Sequence, residues 1–354
     1  MNFSKYFAVF CVEALYYLPH FLPVADEMKR RGIPHAWFFS RETKQSSGSI
    51  IENFKLHLIN EPPEKMEGTA DFFIFGNGYN NLVSVPGVTV LIYHGIGTKA
   101  CYYDHDLDKF HIRFIEGEYR KKELDIRSKN DRQERPIVGF SKLDPAVSLT
   151  SVDRDSFLRS LKLDPTRKTV LYAPTYYPSS IEHMDRNFPE DCSTINVIVK
   201  PHQFTYSSRY KKQYCILDFW GKSENVYLAR QNDFNILPFF QVSDVMISDE
   251  SSAIFEFAAL KKPVIRNRFV KIRFSYRLFP WKLQRRMDAS IERYSSIARN
   301  ANNYKEMIRI LRDEIESPSV DQYDITKYTR DLLGDVDGKA SERIVDYLLS
   351  YQRH

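Results

Sequence analysis

Short runs that are apolar on nearly every residue, each closed by a polar or glycine-containing turn, recur along this chain from residue 6 to residue 266. Such a run has no face left for water, so as a strand it must be covered on both sides. In the first half the runs fall at residues 6–12 (YFAVFCV), 35–39, 71–75 (DFFIF), 88–93 (VTVLIY) and 136–140 (PIVGF). In the second they fall at 168–173 (KTVLYA), 196–200 (NVIVK), 244–248 (DVMIS) and 263–266. Helical patterns at 21–31, 153–161, 252–260, 303–315 and 341–351 alternate with them or come after them. Strands spaced by helices predict an α/β protein with parallel, doubly wound sheets.

The length of 354 residues suggests two domains. The polar stretch 144–167 predicts the boundary, giving Rossmann-like domains over 1–150 and 151–354 that face a cleft, with the last helix a candidate to pack back on the first domain. A net charge of +5 with interspersed signs fits an acidic substrate or an anionic membrane surface, and no nucleic-acid-binding motif is present. Cys11, Cys101, Cys192 and Cys215 form no C-x-x-C pair and read as reduced thiols. The first 22 residues lack a basic n-region and a cleavage site, and no run is long enough to span a bilayer. The expectation is a cytoplasmic protein, at most peripheral at the inner face of the cell membrane.

Four polar motifs stand just beyond predicted strands, where open α/β sheets bind their ligands. His94-Gly95-Ile96-Gly97-Thr98-Lys99 comes after the run 88–93. A histidine there can take a proton near neutral pH, the glycines allow close backbone approach, and Lys99 can meet a phosphate. Lys200-Pro201-His202 presents two donors to an anion. Ser248-Asp249-Glu250-Ser251-Ser252 leads into a helix, where hydroxyls and N–H groups favour phosphate, and Glu256 one turn on could reach ribose hydroxyls or be surface. In Tyr172-Ala173-Pro174-Thr175-Tyr176-Tyr177, Thr175 offers a hydroxyl and the tyrosines a stacking face, although a core strand with a turn is the commoner reading. A further run, 271–286 (KIRFSYRLFPWKLQRR), mixes cations with aromatics and suits a membrane interface, a phosphorylated acceptor or a solvated face. His105 and His111 near Asp104, Asp106 and Asp108 match no common metal spacing.

In this order the motifs resemble the CDP-glycerol glycerophosphotransferase family, which makes teichoic-acid and related polymers. His94-Gly95 with Lys99 resembles its HG-x-x-x-K segment, residues 171–176 its L-Y-A-P-T-[YW], and Lys200-Pro201-His202 its [KR]-x-H. Asn232-Asp233 with residues 243–252 resembles its N-D…S-D-x-x-I-[ST]-D-Y-S-S, and residues 139–144 echo G-x-P-[KR]-x-D. Glu250 stands where the family usually has Tyr, Ser141 replaces the usual Pro, and Arg230 and Gln231 occupy a neighbourhood where the family can carry another His. An anionic Glu250 beside a diphosphate is unfavourable unless paired or turned away.

The resemblance implies a GT-B fold, no cofactor or tightly bound metal, a CDP-linked donor and a lipid-linked or polymeric acceptor. It makes His94 the general base, with Lys200, His202, Ser251 and Ser252 holding the diphosphate. Gly95, Lys99, Thr175, Asp249 and Glu256 are weaker contacts. A nucleotide-sugar glycosyltransferase on the same fold, or a non-catalytic polymer-binding relative, is the alternative.

Overall fold

The structure, a computed structural model, describes residues 5–45, 47–96, 103–128, 130, 132–147, 152–271, 294, 296–319 and 325–351. The chain divides into two compact units, Met1–Pro145 with Arg330–His354 and Ala146–Thr329. The closing segment thus counts with the first unit.

The first unit holds a six-stranded sheet of β1 (Tyr6–Val12), β2 (His35–Phe39), β3 (Leu58–Ile59), β4 (Ala70–Phe75), β5 (Val88–Ile92) and β6 (Ile112–Phe114). Their order is β3-β2-β1-β4-β5-β6, and every pairing is parallel. The second holds β7 (Thr169–Ala173), β8 (Asn196–Val199), β9 (Val226–Leu228), β10 (Val245–Ser248), β11 (Val264–Asn267) and β12 (Arg299–Ala301). These are ordered β12-β11-β10-β7-β8-β9, again parallel throughout. Strands β5, β7, β8 and β10 are buried along their whole length, as their apolar composition requires. The two sheets carry the architecture expected from the apolar runs.

The run 136–140 is not a strand. Pro136 has no N–H for a ladder, and Gly139 turns to a φ of 91°, so pairing stops at the isolated bridge between Ile115 and Ile137. Four short strands, β3, β6, β9 and β12, add to those expected; two or three residues leave no alternation to read. The first helix, α1 (Leu18–Arg30), begins before its predicted start with Pro in its first turn. Further on lie α2 (Glu118–Arg127), α3 (Lys211–Trp220), α4 (Ala253–Ala258), α5 (Tyr304–Glu316) and α6 (Ala340–Ser350). No helix among the described residues is long and apolar enough to cross a membrane.

Helix α6 packs on α1 with Ile344, Val345 and Leu348 buried. Its start is held by a residue far away in sequence. The Asp144 carboxylate accepts from the backbone N–H of Ala340 at 3.2 Å and of Ser341 at 2.7 Å, across a separation of 196 residues for the former. Arg343 adds a bond from its Nε to the Val138 carbonyl at 2.7 Å. The motif at 139–144 therefore anchors the end of the chain. Asp144→Ala should lower unfolding free energy by about 1–2 kcal/mol, the usual worth of a helix cap with buried donors. Chemical denaturation is the check, and an unchanged midpoint would show that the cap contributes nothing to stability.

Candidate active site

In the first unit the chain lays β2 and β3 to one side of β1, and β4, β5 and β6 to the other. The order reverses between β1 and β4, where such sheets open a crevice at their carboxyl edge. Glu13 comes directly after β1 there, with its carboxyl raised by burial. Gly76 comes directly after β4, and His94 stands two residues past the end of β5.

The His94 ring is half-buried, with Nδ1 2.8 Å from the Gly76 carbonyl oxygen. A carbonyl can only accept, so Nδ1 carries the proton and the lone pair of the neutral ring falls on Nε2. Rings of Tyr93, Tyr16 and Tyr17 lie around it, with centroids at 4.6, 4.7 and 5.2 Å. A Cβ on Gly76 would come within 2.5 Å of the Tyr17 ring, so glycine is what lets that tyrosine close over the site. His20, fully buried on α1, hydrogen-bonds to the backbone of His94. Burial first, then the Lys142 ammonium, holds its imidazole well below the usual value, and it stays uncharged.

The next residue is clamped as well. The Gly95 carbonyl accepts from the guanidinium of Arg120, whose Nε reaches both oxygens of Glu116 at 2.8 and 2.7 Å. Arg120 is buried and lies over the Tyr93 ring at 5.2 Å. Lys99 lies outside the described residues.

In the second unit the order reverses between β7 and β10. Three motifs stand on the carboxyl edges of three adjacent strands. Lys200 and His202 lie past β8, Thr175 past β7, and Asp249 through Ser252 past β10. The structure brings Thr175 and Asp249 into direct contact. Asp249 is fully buried and accepts from Thr175 N at 2.7 Å, Ser180 N at 2.9 Å and Ser180 Oγ at 3.0 Å. The Thr175 hydroxyl donates to the Pro178 carbonyl. Both residues thus build the loop of residues 175–180.

The neighbouring groups face outward to a greater degree. Ser251 and Ser252 are half-buried ahead of α4, and Ser251 Oγ accepts from Ala253 N at 3.2 Å. Lys200 is half-buried and His202 exposed. Phe204 N donates to His202 Nδ1 at 3.2 Å, so the neutral ring carries its proton on Nε2 as a donor. Glu256 is 3% exposed inside α4 and is not a surface residue. Of the run 271–286, only Lys271 is described. Among the described residues no group of three His, Cys, Asp or Glu side chains is gathered for a metal.

Residues 129–350 match the family described as CDP-glycerol:poly(glycerophosphate) glycerophosphotransferase. The chain belongs to that family. A teichoic acid poly(ribitol-phosphate) polymerase of Bacillus spizizenii is 28% identical over 196 residues, covering 52% of this chain and 28% of that protein. This chain therefore matches less than a third of that relative's length. Among solved structures, a variant of the wall teichoic acid polymerase TagF soaked with CDPG superposes with a TM-score of 0.70 at 15% identity, over 98% of this chain and 88% of that one. A UDP-GlcNAc 2-epimerase from Neisseria meningitidis bound to UDP-GlcNAc gives 0.63 at 14% identity, over 97% and 100%. At such identities these two likenesses show the fold alone.

This family member's departure at Glu250 has a counter-charge. Arg266 on β11 donates to its two carboxylate oxygens at 2.8 and 2.9 Å, with side chains 3% and 8% exposed. The pair keeps the glutamate's charge satisfied within the protein. Sequence reasoning missed Arg266, His20, Arg120 and the tyrosines. Only Arg266 had a signal, the need for a partner to Glu250.

Burial pushes the Asp249 carboxyl up to about 6, against the pull of the hydrogen bonds from Thr175 and Ser180. With the folded value above the unfolded one, the native state binds more protons between about pH 4 and 6, so this group makes stability fall as pH rises through that window. Asp249→Asn should flatten that dependence, by about 1–3 kcal/mol between pH 4 and 7. A wild-type-minus-variant difference that does not change with pH would refute it.

Proposed function

We propose that this protein transfers a glycerol-phosphate or other alditol-phosphate unit from a CDP-linked donor to an acceptor hydroxyl in cell-surface polymer synthesis, releasing CMP. Family membership supports the donor class, and the tautomer of His94 carries the mechanism. With its proton fixed on Nδ1, His94 Nε2 takes the proton of the acceptor hydroxyl. The oxygen attacks the phosphorus that bears the alditol, the bond from that phosphorus to the bridging oxygen breaks, and the oxygen leaves on CMP.

The charge that develops on CMP needs donors. Lys200 and His202 beyond β8 and Ser251 and Ser252 beyond β10 flank β7 on either side. Two strand spacings are about 10 Å, a span that a lysine side chain and a diphosphate laid across β7 can bridge. His202 presents Nε2–H and Lys200 an ammonium, both suited to an anionic leaving group. Thr175 and Asp249 act through the loop they hold. The acceptor is lipid-linked or polymeric in this reading, and the cationic run 271–286 is where a peripheral protein would meet an anionic membrane surface.

The test is turnover of CDP-glycerol, CDP-ribitol and UDP-GlcNAc, with CMP competing. A CDP-alditol should be consumed, with CMP released. His94→Ala should bind the donor yet lose about 10²–10⁴-fold in turnover, the worth of a positioned base. His202→Ala should lose about 10–100-fold, the worth of one hydrogen bond to a charged group. Full-rate transfer by His94→Ala would end its assignment as base, and turnover of UDP-GlcNAc alone would make the chemistry glycosyl transfer.

A further inference from the structure

The second unit contains a cavity of about 760 Å³ that the transfer chemistry does not use, lined in part by Ser208, Arg209, Lys211, Lys212, Gln213 and Lys271. The first five residues come from the turn Ser208–Tyr210 and the start of α3, while Lys271 is held by its backbone bond to Ser179 O at 2.9 Å. Among the described residues one carboxylate, Glu182, also lines it, and that is paired with Lys271 at 3.3 Å. Arg209, Lys211 and Lys212 have no carboxylate at ion-pair distance among the described residues, so three cations on one wall stand uncompensated.

The wall also carries an acceptor. Gln213 is buried, its Nε2 donates to the Tyr176 carbonyl at 3.2 Å, and its Oε1 has no hydrogen-bond partner. The cavity lies beside the donor-binding motif. The Tyr176 ring is 4.7 Å from that of His202 and 5.6 Å from that of Tyr210, which lines the cavity.

We propose that this cavity binds the phosphodiester backbone of a poly(alditol phosphate) chain, the polymeric acceptor of the transfer reading, on which the proposal rests. Phosphodiesters meet Arg209, Lys211, Lys212 and Lys271, while alditol hydroxyls are the donors that Gln213 lacks. A flat bilayer is met by cations that protrude from a convex face. Cations around a concavity of this size, with an amide at its wall, suit an anionic chain that enters.

The test is fluorescence anisotropy of end-labelled oligo(glycerol phosphate) of about ten units, with wild type and the triple variant Arg209→Ala, Lys211→Ala, Lys212→Ala. These side chains are exposed, so the variant should keep its fold, and circular dichroism checks that it does. The triple variant should bind at least tenfold more weakly, with a salt dependence shallower by about two to three counterions. Its turnover of donor onto a monomeric alditol-phosphate acceptor should equal wild type. Gln213→Leu should lose preference for the oligomer over inorganic polyphosphate. Equal oligomer affinity in wild type and triple variant would overturn the proposal. So would wild type that ignores the oligomer but binds phosphatidylglycerol vesicles through these cations, which would make the surface a membrane contact. Donor turnover is read separately, so a wild type that binds the oligomer but transfers nothing would fault the transfer reading and leave the site.

Discussion

In a sheet whose strands all run one way, every strand hands its last polar groups to the same edge. That constraint governs both halves of this chain. The central strands are buried on both faces and have no polar side to spare, so chemistry can be carried only by the residues just past a strand's end. Where the strand order reverses, between β1 and β4 in one unit and between β7 and β10 in the other, two connections leave in opposite directions and open a gap at that edge. Glu13 and Gly76 flank the first gap, Thr175 and Asp249 the second. The motifs sit at these ends because the topology leaves polar groups few other places to converge.

At those edges two histidines are set in opposite senses by their backbone neighbours. His94 faces a carbonyl through Nδ1, and His202 faces an N–H through Nδ1. The first ring is left with an acceptor nitrogen at Nε2, the second with a donor there. One residue type therefore offers an acceptor nitrogen in one place and a donor in another, and the difference lies in a single backbone group at 2.8 or 3.2 Å. The buried His20 and the Arg120–Glu116 pair hold the turn that carries His94 and so fix where its ring stands.

Much of the fold was legible because fully apolar runs admit few alternatives. The sheets' four edge strands were not, since β3, β6, β9 and β12 are recognisable only by the neighbour they pair with. The run 136–140 misled for another reason: its apolar composition was read over Pro136, which lacks the N–H that a ladder would need. Among the candidate site residues, His94, Lys200, His202 and the two serines were named from their motifs, and each does stand just past a strand. The supporting groups could not. His20, Tyr16 and Tyr17 belong to a stretch that reads as ordinary core and loop, and nothing in a linear pattern says that His20 meets the backbone of a residue beyond β5.

The motif residues themselves divide by the partners their polar atoms face. Asp144 accepts from the start of α6, Asp249 from the loop beyond β7, and Asp244 from Thr169 N at 2.8 Å at the foot of the same strand. Asp233 does likewise for Arg230 N at 2.6 Å. Each of these carboxylates is satisfied by backbone N–H groups, so its removal would strand a donor and deform a connection, with chemistry lost only as a consequence. A motif acid can therefore be required without touching a substrate. Glu250 shows the converse. Its position borders the edge where an anion would sit, and its charge would oppose one, yet Arg266 from the next strand takes up both oxygens. Breaking such a buried pair from one side costs about 3–5 kcal/mol, whereas exchanging both partners for a neutral pair need cost little. The substitution is therefore readable only as a pair, a glutamate together with the arginine on β11.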